Sequence, residues 1–199
     1  MLNRSTRFLL AALQAVLGWE WLMSAGNKVL SGSFPQGLAD TLNNGIKNNP
    51  NTWYAAFLQQ NILPHSIFYG YLIEWTEVVI AIFLLGGAFI LVSRSHMPDD
   101  VWYAFGLTTS IAVAIVAAIG AFLTVNFHFW AGGWVFPLFH PDMANGEGID
   151  LDALLPPLSL VVTIANIALF RELQRVGVFR QSIQFAGVEE SLERGTITK

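Results

Sequence analysis

Apolar positions collect into four long runs, Phe8 to Asn27, Ile67 to Val92, Val101 to Phe127 and Ala153 to Phe170. About 20 mostly apolar residues suffice to cross a bilayer, and longer runs can tilt. In lipid the backbone must satisfy its own hydrogen bonds, so each run is predicted to be a helix. The flanks are polar: Arg7 and Lys28 bound the first run, His65 and Arg94 the second, Asp152 and Arg171 the fourth. The third contains no charged residue. The fold class predicted is all-α, an integral membrane four-helix bundle.

The segments between the runs carry patterns of their own. Lys28 to His65 is too long for a simple connection. Ser33-Phe34-Pro35 reads as a helix start, with Pro in the first turn. Phe34, Leu38, Leu42 and Ile46 recur every four residues, while Gln36, Asp40, Asn43, Asn44 and Lys47 lie elsewhere. That is a short amphipathic helix in the first external loop, lying on the membrane face or capping the bundle. Asn49-Pro50-Asn51 breaks it, and Trp53 to Leu63 suits another short helix stopped before Pro64. The second external loop, His128 to Asp152, is rich in glycine and aromatics and then acidic. Pro156 and Pro157 sit near the start of the fourth helix, where proline is tolerated. Past Phe170, Leu169, Leu173, Val176 and Phe179 form an apolar stripe beside Arg171, Arg175 and Arg180, which suits a headgroup region. Residues 1–180 form one transmembrane domain in this reading. Residues 181–199 form a flexible cytoplasmic tail.

Composition agrees with the pattern. The 199 residues are 54% hydrophobic and 12% charged, against roughly 25% charged in an average soluble domain. No basic face suggests nucleic acid. With no cysteine, disulfides, thiolate-held iron–sulfur clusters and covalent haem attachment are excluded. No metal, haem or iron–sulfur cluster is expected. Lys and Arg placement sets the orientation. If the N-terminus is cytoplasmic, the inner side carries Arg4, Arg7, Arg94, Arg171, Arg175, Arg180, Arg194 and Lys199, and the outer side only Lys28 and Lys47. Both termini are therefore expected in the cytoplasm, with the chain in the cell inner or plasma membrane. The alternative for the first run is a cleaved signal peptide, with Ser24-Ala25-Gly26 as its cleavage site. Trp19-Glu20-Trp21 would be a poor end to its apolar region.

Three acids stand inside these runs. A charged residue near the centre of a spanning helix costs on the order of 3 kcal/mol, so the default reading is a functional group facing the bundle interior. Glu74 and Glu77 share a helix face. Counted from the outer helix ends, Glu20 and Glu74 lie about 12 and 10 Å deep and Glu77 about 15 Å, near the midplane. Burial and like-charged neighbours both disfavour an ionised carboxyl, which suits proton delivery to a quinone. The bland alternative is that an acid merely bonds across helices or pairs with Lys28. Asn126-Phe127-His128-Phe129-Trp130-Ala131-Gly132-Gly133-Trp134 alternates hydrogen-bonding and aromatic groups where the chain leaves the bilayer. Part of it is an ordinary interfacial aromatic belt. Its glycines also let backbone approach a ligand, and its rings would floor a quinone headgroup bonded by His128 or Asn126. Glu20, Glu74, Asn126 and His128 are expected to converge near Lys28, covered by Trp130 and Trp134. A metal site from His128, His140, Asp142 and Glu147 matches no strong spacing pattern. Gly86-Gly87 reads as close helix packing.

At these residues the chain resembles the DoxX/DoxD family of four-helix membrane proteins over about residues 5 to 175. The resemblance lies in Gly18 followed by Gly26-Asn27-Lys28, in Glu77 followed by an apolar stretch to Gly86, and in Asn126-Phe127-His128-Phe129-Trp130 with Gly132-Gly133. It implies a DoxD-type membrane subunit of thiosulfate:quinone oxidoreductase, which oxidises thiosulfate to tetrathionate and reduces quinone. Its partner would be a DoxA-type subunit. The outer face offers only Lys28 and Lys47 for a dianion, so a thiosulfate site needs Trp N–H groups, helix N-termini or the partner. Two readings compete with the redox one: a non-catalytic accessory subunit of a larger membrane complex, and a small-solute or proton pathway.

Overall fold

The computed structural model describes residues 3–47, 49–133 and 151–193, with side chains in the last segment described from 154 to 177. The described residues are helical with no strand. Helix α1 runs Arg4–Ser31, α2 Phe34–Lys47, α3 Thr52–Phe57, α4 Ser66–Ser93, α5 Asp99–Trp130 and α6 Leu151–Glu193. Four helical stretches are long and apolar enough to cross a membrane: Arg4–Ser31, Thr52–His96, Asp99–Trp130 and Leu154–Gly177. The protein is therefore an all-α, multi-pass bundle suited to a lipid bilayer. Its outward side chains agree, since Leu9, Val16, Phe68, Phe89, Phe122 and Ile164 are all more than 60% exposed. On a protein built for lipid, such a surface is the solvated one.

Local chemistry fixes the helix ends. Asn3 caps α1 by accepting from the Thr6 N–H at 2.7 Å. Gly32, at φ 63°, ends the helix in the left-handed conformation and donates to the Lys28 carbonyl, as glycine does at a helix C-terminus. Pro64 does not stop the chain as its position suggests. A π-helical turn at Leu58–Ile62 and a 3₁₀ turn at Leu63–His65 carry the backbone from α3 into α4. Both turns re-register the hydrogen bonds around the missing N–H. The fourth helix also outruns its apolar stretch, continuing to Glu193 beyond the boundary expected at 180.

Helix α1 packs along α4, and α5 along α6, with α4 against α5 joining the pairs. Small residues mark the close approaches. A Cβ on Gly18 would lie 2.9 Å from Leu85, one on Gly87 2.6 Å from Val113, and one on Gly106 3.2 Å from Leu173. Close backbone approach through small residues is the usual packing device between helices in lipid. Gly86, by contrast, faces open space. One apolar core layer contains Leu17, Trp21, Ile80, Leu84, Val113 and Val162. A second, nearer the termini, contains Leu10, Leu91, Trp102, Leu169 and Leu173.

Helices α2 and α3 form a cap at the other end of the bundle. The stripe on α2 is turned inward: Leu38 and Leu42 are buried with Tyr54 and Leu58, and Phe34, Ile46, Tyr69, Phe129 and Trp130 pack around them. Gln36, Asp40, Asn43, Asn44 and Lys47 are exposed. Two glycines let the cap sit close. A Cβ on Gly70 of α4 would fall 2.5 Å from the Pro35 Cα, and one on Gly45 of α2 would overlap the Trp130 indole. Gly70→Val should therefore lift α2 from α4 and destabilise the protein by about 1–3 kcal/mol, the usual cost of overpacking. Hydrogen exchange should show it first as lost protection in α2, and unchanged protection there would refute the packing role.

Candidate functional site

Glu77 is fully buried, on the face of α4 that meets α1. Lys28 Nζ donates to both its carboxylate oxygens, at 2.7 and 2.6 Å, and Ser24 Oγ donates to Oε2 at 3.0 Å. Lys28 Nζ also lies 2.7 Å from Ser24 Oγ, one turn back on α1. The spacing of Ser24 and Lys28 at i and i+4 puts both on one helix face, so a single carboxylate can accept from both. The lysine side chain keeps 19% of its exposure and its ammonium sits 5.1 Å from the centre of the Phe34 ring, at the start of α2. Glu74 is buried one turn from Glu77. Among the described residues it makes no hydrogen bond or ion pair. The site thus holds a fully buried carboxylate, a second buried carboxyl and a partly exposed ammonium.

Along α4, Glu77 lies 10 residues from Ile67 and 17 from Arg94, about 15 and 26 Å on the helix axis, and Pro35 covers that helix at Gly70.

Glu20 does not join them. It is exposed on α1, beside exposed Trp19, Val16 and Met23, while the core face of that helix carries Gln14, Leu17, Gly18 and Trp21. Asn126 and Trp130 are held by the cap. Tyr54 Oη donates to Asn126 Oδ1 at 3.0 Å, and Asn126 Nδ2 donates to the Phe122 carbonyl at 2.7 Å. Asn49 Nδ2 reaches the carbonyls of Phe129 and Trp130 at 2.9 and 3.1 Å, and Asn51 Nδ2 that of Gly133 at 2.7 Å. Asn126 lies in the last turns of α5 as expected, and His128 and Trp130 belong there too rather than to the loop expected from His128 onward. That helix ends in a Schellman motif, in which Gly132 (φ 89°) donates to Phe129 and Gly133 to His128. The glycine pair thus closes a helix, and a Cβ on Gly133 would overlap the buried His128 ring. Trp134, His140, Asp142 and Glu147 lie outside the described residues.

Several polar residues were not legible as site or cap residues. Ser24 completes the ion pair, and Asn49, Asn51 and Tyr54 latch the cap. Deeper in the bundle, Gln14 Nε2 donates to Asn166 Oδ1 at 3.2 Å, both residues being buried. Gly87 makes room for them, since its Cβ would meet Gln14 Oε1 at 2.9 Å. Gln14 and Asn166 carry the same signal as the acids, a polar side chain inside an apolar run, at lower cost than a charge. Comparison with family models, curated proteins and solved structures finds no match for this chain.

Removing one partner of a buried ion pair leaves the other uncompensated, at a typical cost of about 3–5 kcal/mol, whereas replacing both by apolar residues is often neutral. Lys28→Met should thus be strongly destabilising and the double variant Lys28→Met with Glu77→Met much less so. Unfolding titrations of the two in detergent micelles check this. Equal losses would mean that Glu77 left alone carries no penalty, which would refute the uncompensated-charge account.

Proposed function

We propose that this chain is the membrane subunit of a quinone-linked oxidoreductase, with Lys28, Glu77 and Glu74 as its proton-handling centre. One observation carries the reading: a fully buried carboxylate with its lysine, and a second buried carboxyl one turn away, inside a bundle whose other buried polar side chains, among the described residues, are uncharged amides, hydroxyls and a histidine. Such groups are costly in a membrane and are the usual mark of a proton or ligand site. Reduction of a quinone to a quinol takes two electrons and two protons. Lys28, next to the Phe34 ring, has its three N–H donors on Glu77 and Ser24, so a quinone carbonyl would take one of them in exchange for the Ser24 contact. Glu74 offers a carboxyl that can give and regain a proton, while Glu77 holds the lysine in place. Asn126 is not part of this site, because its carboxamide already bonds Tyr54 and Phe122.

With no cysteine to hold a thiolate-bound cluster, the electrons would come through a bound organic cofactor or a partner subunit. The DoxD-like motifs favour thiosulfate as the reductant, two thiosulfates giving one tetrathionate and two electrons, with a DoxA-type subunit as partner. The Lys and Arg bias favours a cytoplasmic location for both termini, with the α2–α3 cap on the other face of the plasma membrane. A second reading, a non-catalytic accessory subunit, is favoured by the structural use made of Asn126, Trp130 and Gly132.

A short-chain ubiquinone should quench the tryptophan fluorescence of the purified protein saturably. Glu74→Gln should weaken that binding roughly tenfold, the loss of one hydrogen bond to a charged or strongly polar group. Quenching that never saturates, or that is identical in the variant, would leave the accessory reading standing. Orientation has its own test, made simple by the absence of native cysteine. Single cysteines at exposed Asn61 and Ser95 should react with a membrane-impermeant maleimide in intact cells at 61 and not at 95. The reverse pattern would invert the topology.

A further inference from the structure

Glu20 presents the feature that the bundle leaves unresolved. It is exposed, yet it stands 13 residues after Arg7 and eight before Lys28 on α1, about 20 Å and 12 Å along the helix axis. Those distances place it well inside the apolar layer rather than at either boundary. Its neighbours on the same face are Val16 at 65% and Met23 at 45% exposure, with exposed Asn27 further along. Residues 16, 20, 23 and 27 follow the 4-3-4 spacing of a helix–helix seam. Two of its four positions are polar. No described residue of this chain makes an ion pair or hydrogen bond with Glu20, and a carboxylate facing acyl chains is among the costliest placements a spanning helix can make.

We propose that the Val16–Asn27 face of α1 docks a transmembrane helix of a different membrane subunit, one that carries a lysine or arginine at the depth of Glu20. Charge complementarity selects that occupant. A second copy of this chain, related by a twofold axis along the membrane normal, would bring Glu20 against its own copy at equal depth, and two carboxylates there repel. A lipid tail offers nothing to neutralise the charge. A basic side chain arriving on a neighbouring helix does so, and the carboxylate fixes its register, as single polar residues do in helical seams. Asn27, two turns along, offers a carboxamide to the same helix. The proposal is independent of the redox reading, since it concerns the outward face of α1 and is tested without quinone.

The test uses the full chain, labelled with a fluorophore through Ser95→Cys and reconstituted into phosphatidylcholine vesicles. Two synthetic leucine–alanine helices of membrane-spanning length serve as probes, one with a single central lysine and one with leucine there. Energy transfer should show the lysine helix bound roughly tenfold more tightly than the leucine helix, with the preference abolished in Glu20→Leu. Equal binding of the two probes to the wild-type chain would overturn the proposal without any need for the variant. Energy transfer between two labelled copies of the wild-type chain, lost in Glu20→Leu, would also overturn it and assign the face to self-association.

Discussion

The buried pair between Lys28 and Glu77 is the constraint to which the rest of the bundle answers. Neither charge can be left in an apolar medium alone, and their attraction offsets the loss of water only with good geometry and further hydrogen bonds. The structure supplies both. Lysine reaches both carboxylate oxygens and Ser24 adds a third donor. Meeting that geometry fixes the register of α1 against α4, which in turn sets Gly18 against Leu84 and Leu85. A slide of one residue would carry Ser24 and Lys28 off the Glu77 face.

The polar layers then divide the bundle. At the cap end stand the two carboxyls and the lysine. Nearer the termini stand Gln14 and Asn166. Between them lies a layer of Leu17, Ile80, Leu84, Val113 and Val162, each no more than 1% exposed. Trp21 belongs to the same layer, and its buried indole N–H has no partner among the described residues.

The cap explains why a conspicuous sequence can be structural. Asn126 to Gly133 carries the aromatic and polar density expected of a binding site. In the structure its carbonyls accept from Asn49 and Asn51, its indole fills the space above Gly45, and its glycines terminate α5. A helix end leaves carbonyls without intrahelical partners, and burying that end demands donors from elsewhere. The cap meets this demand with side-chain amides. A short amphipathic helix and an Asn-Pro-Asn turn therefore serve one purpose, closing the α5 terminus under a covered surface.

The sequence by itself determined the class of the protein. Runs of about 20 apolar residues admit only helices in lipid, so four spans follow from length and composition alone. The inward stripe on α2 was legible for the same reason, because a period near four residues requires one apolar face. The inward acids of α4 were legible because charge in an apolar run is costly wherever it occurs. Tertiary structure alone decided which groups meet. Glu20 resembles Glu77 in sequence context, yet a rotation of about 100° per residue turns one outward and the other to Lys28. Ser24 and Asn49 carry no signal as single residues, because a hydroxyl or an amide gains its role only from the partner that packing brings. The partners of Glu77 lie 49 and 53 residues away in the chain, a separation at which local pattern holds no information and helix packing holds all of it.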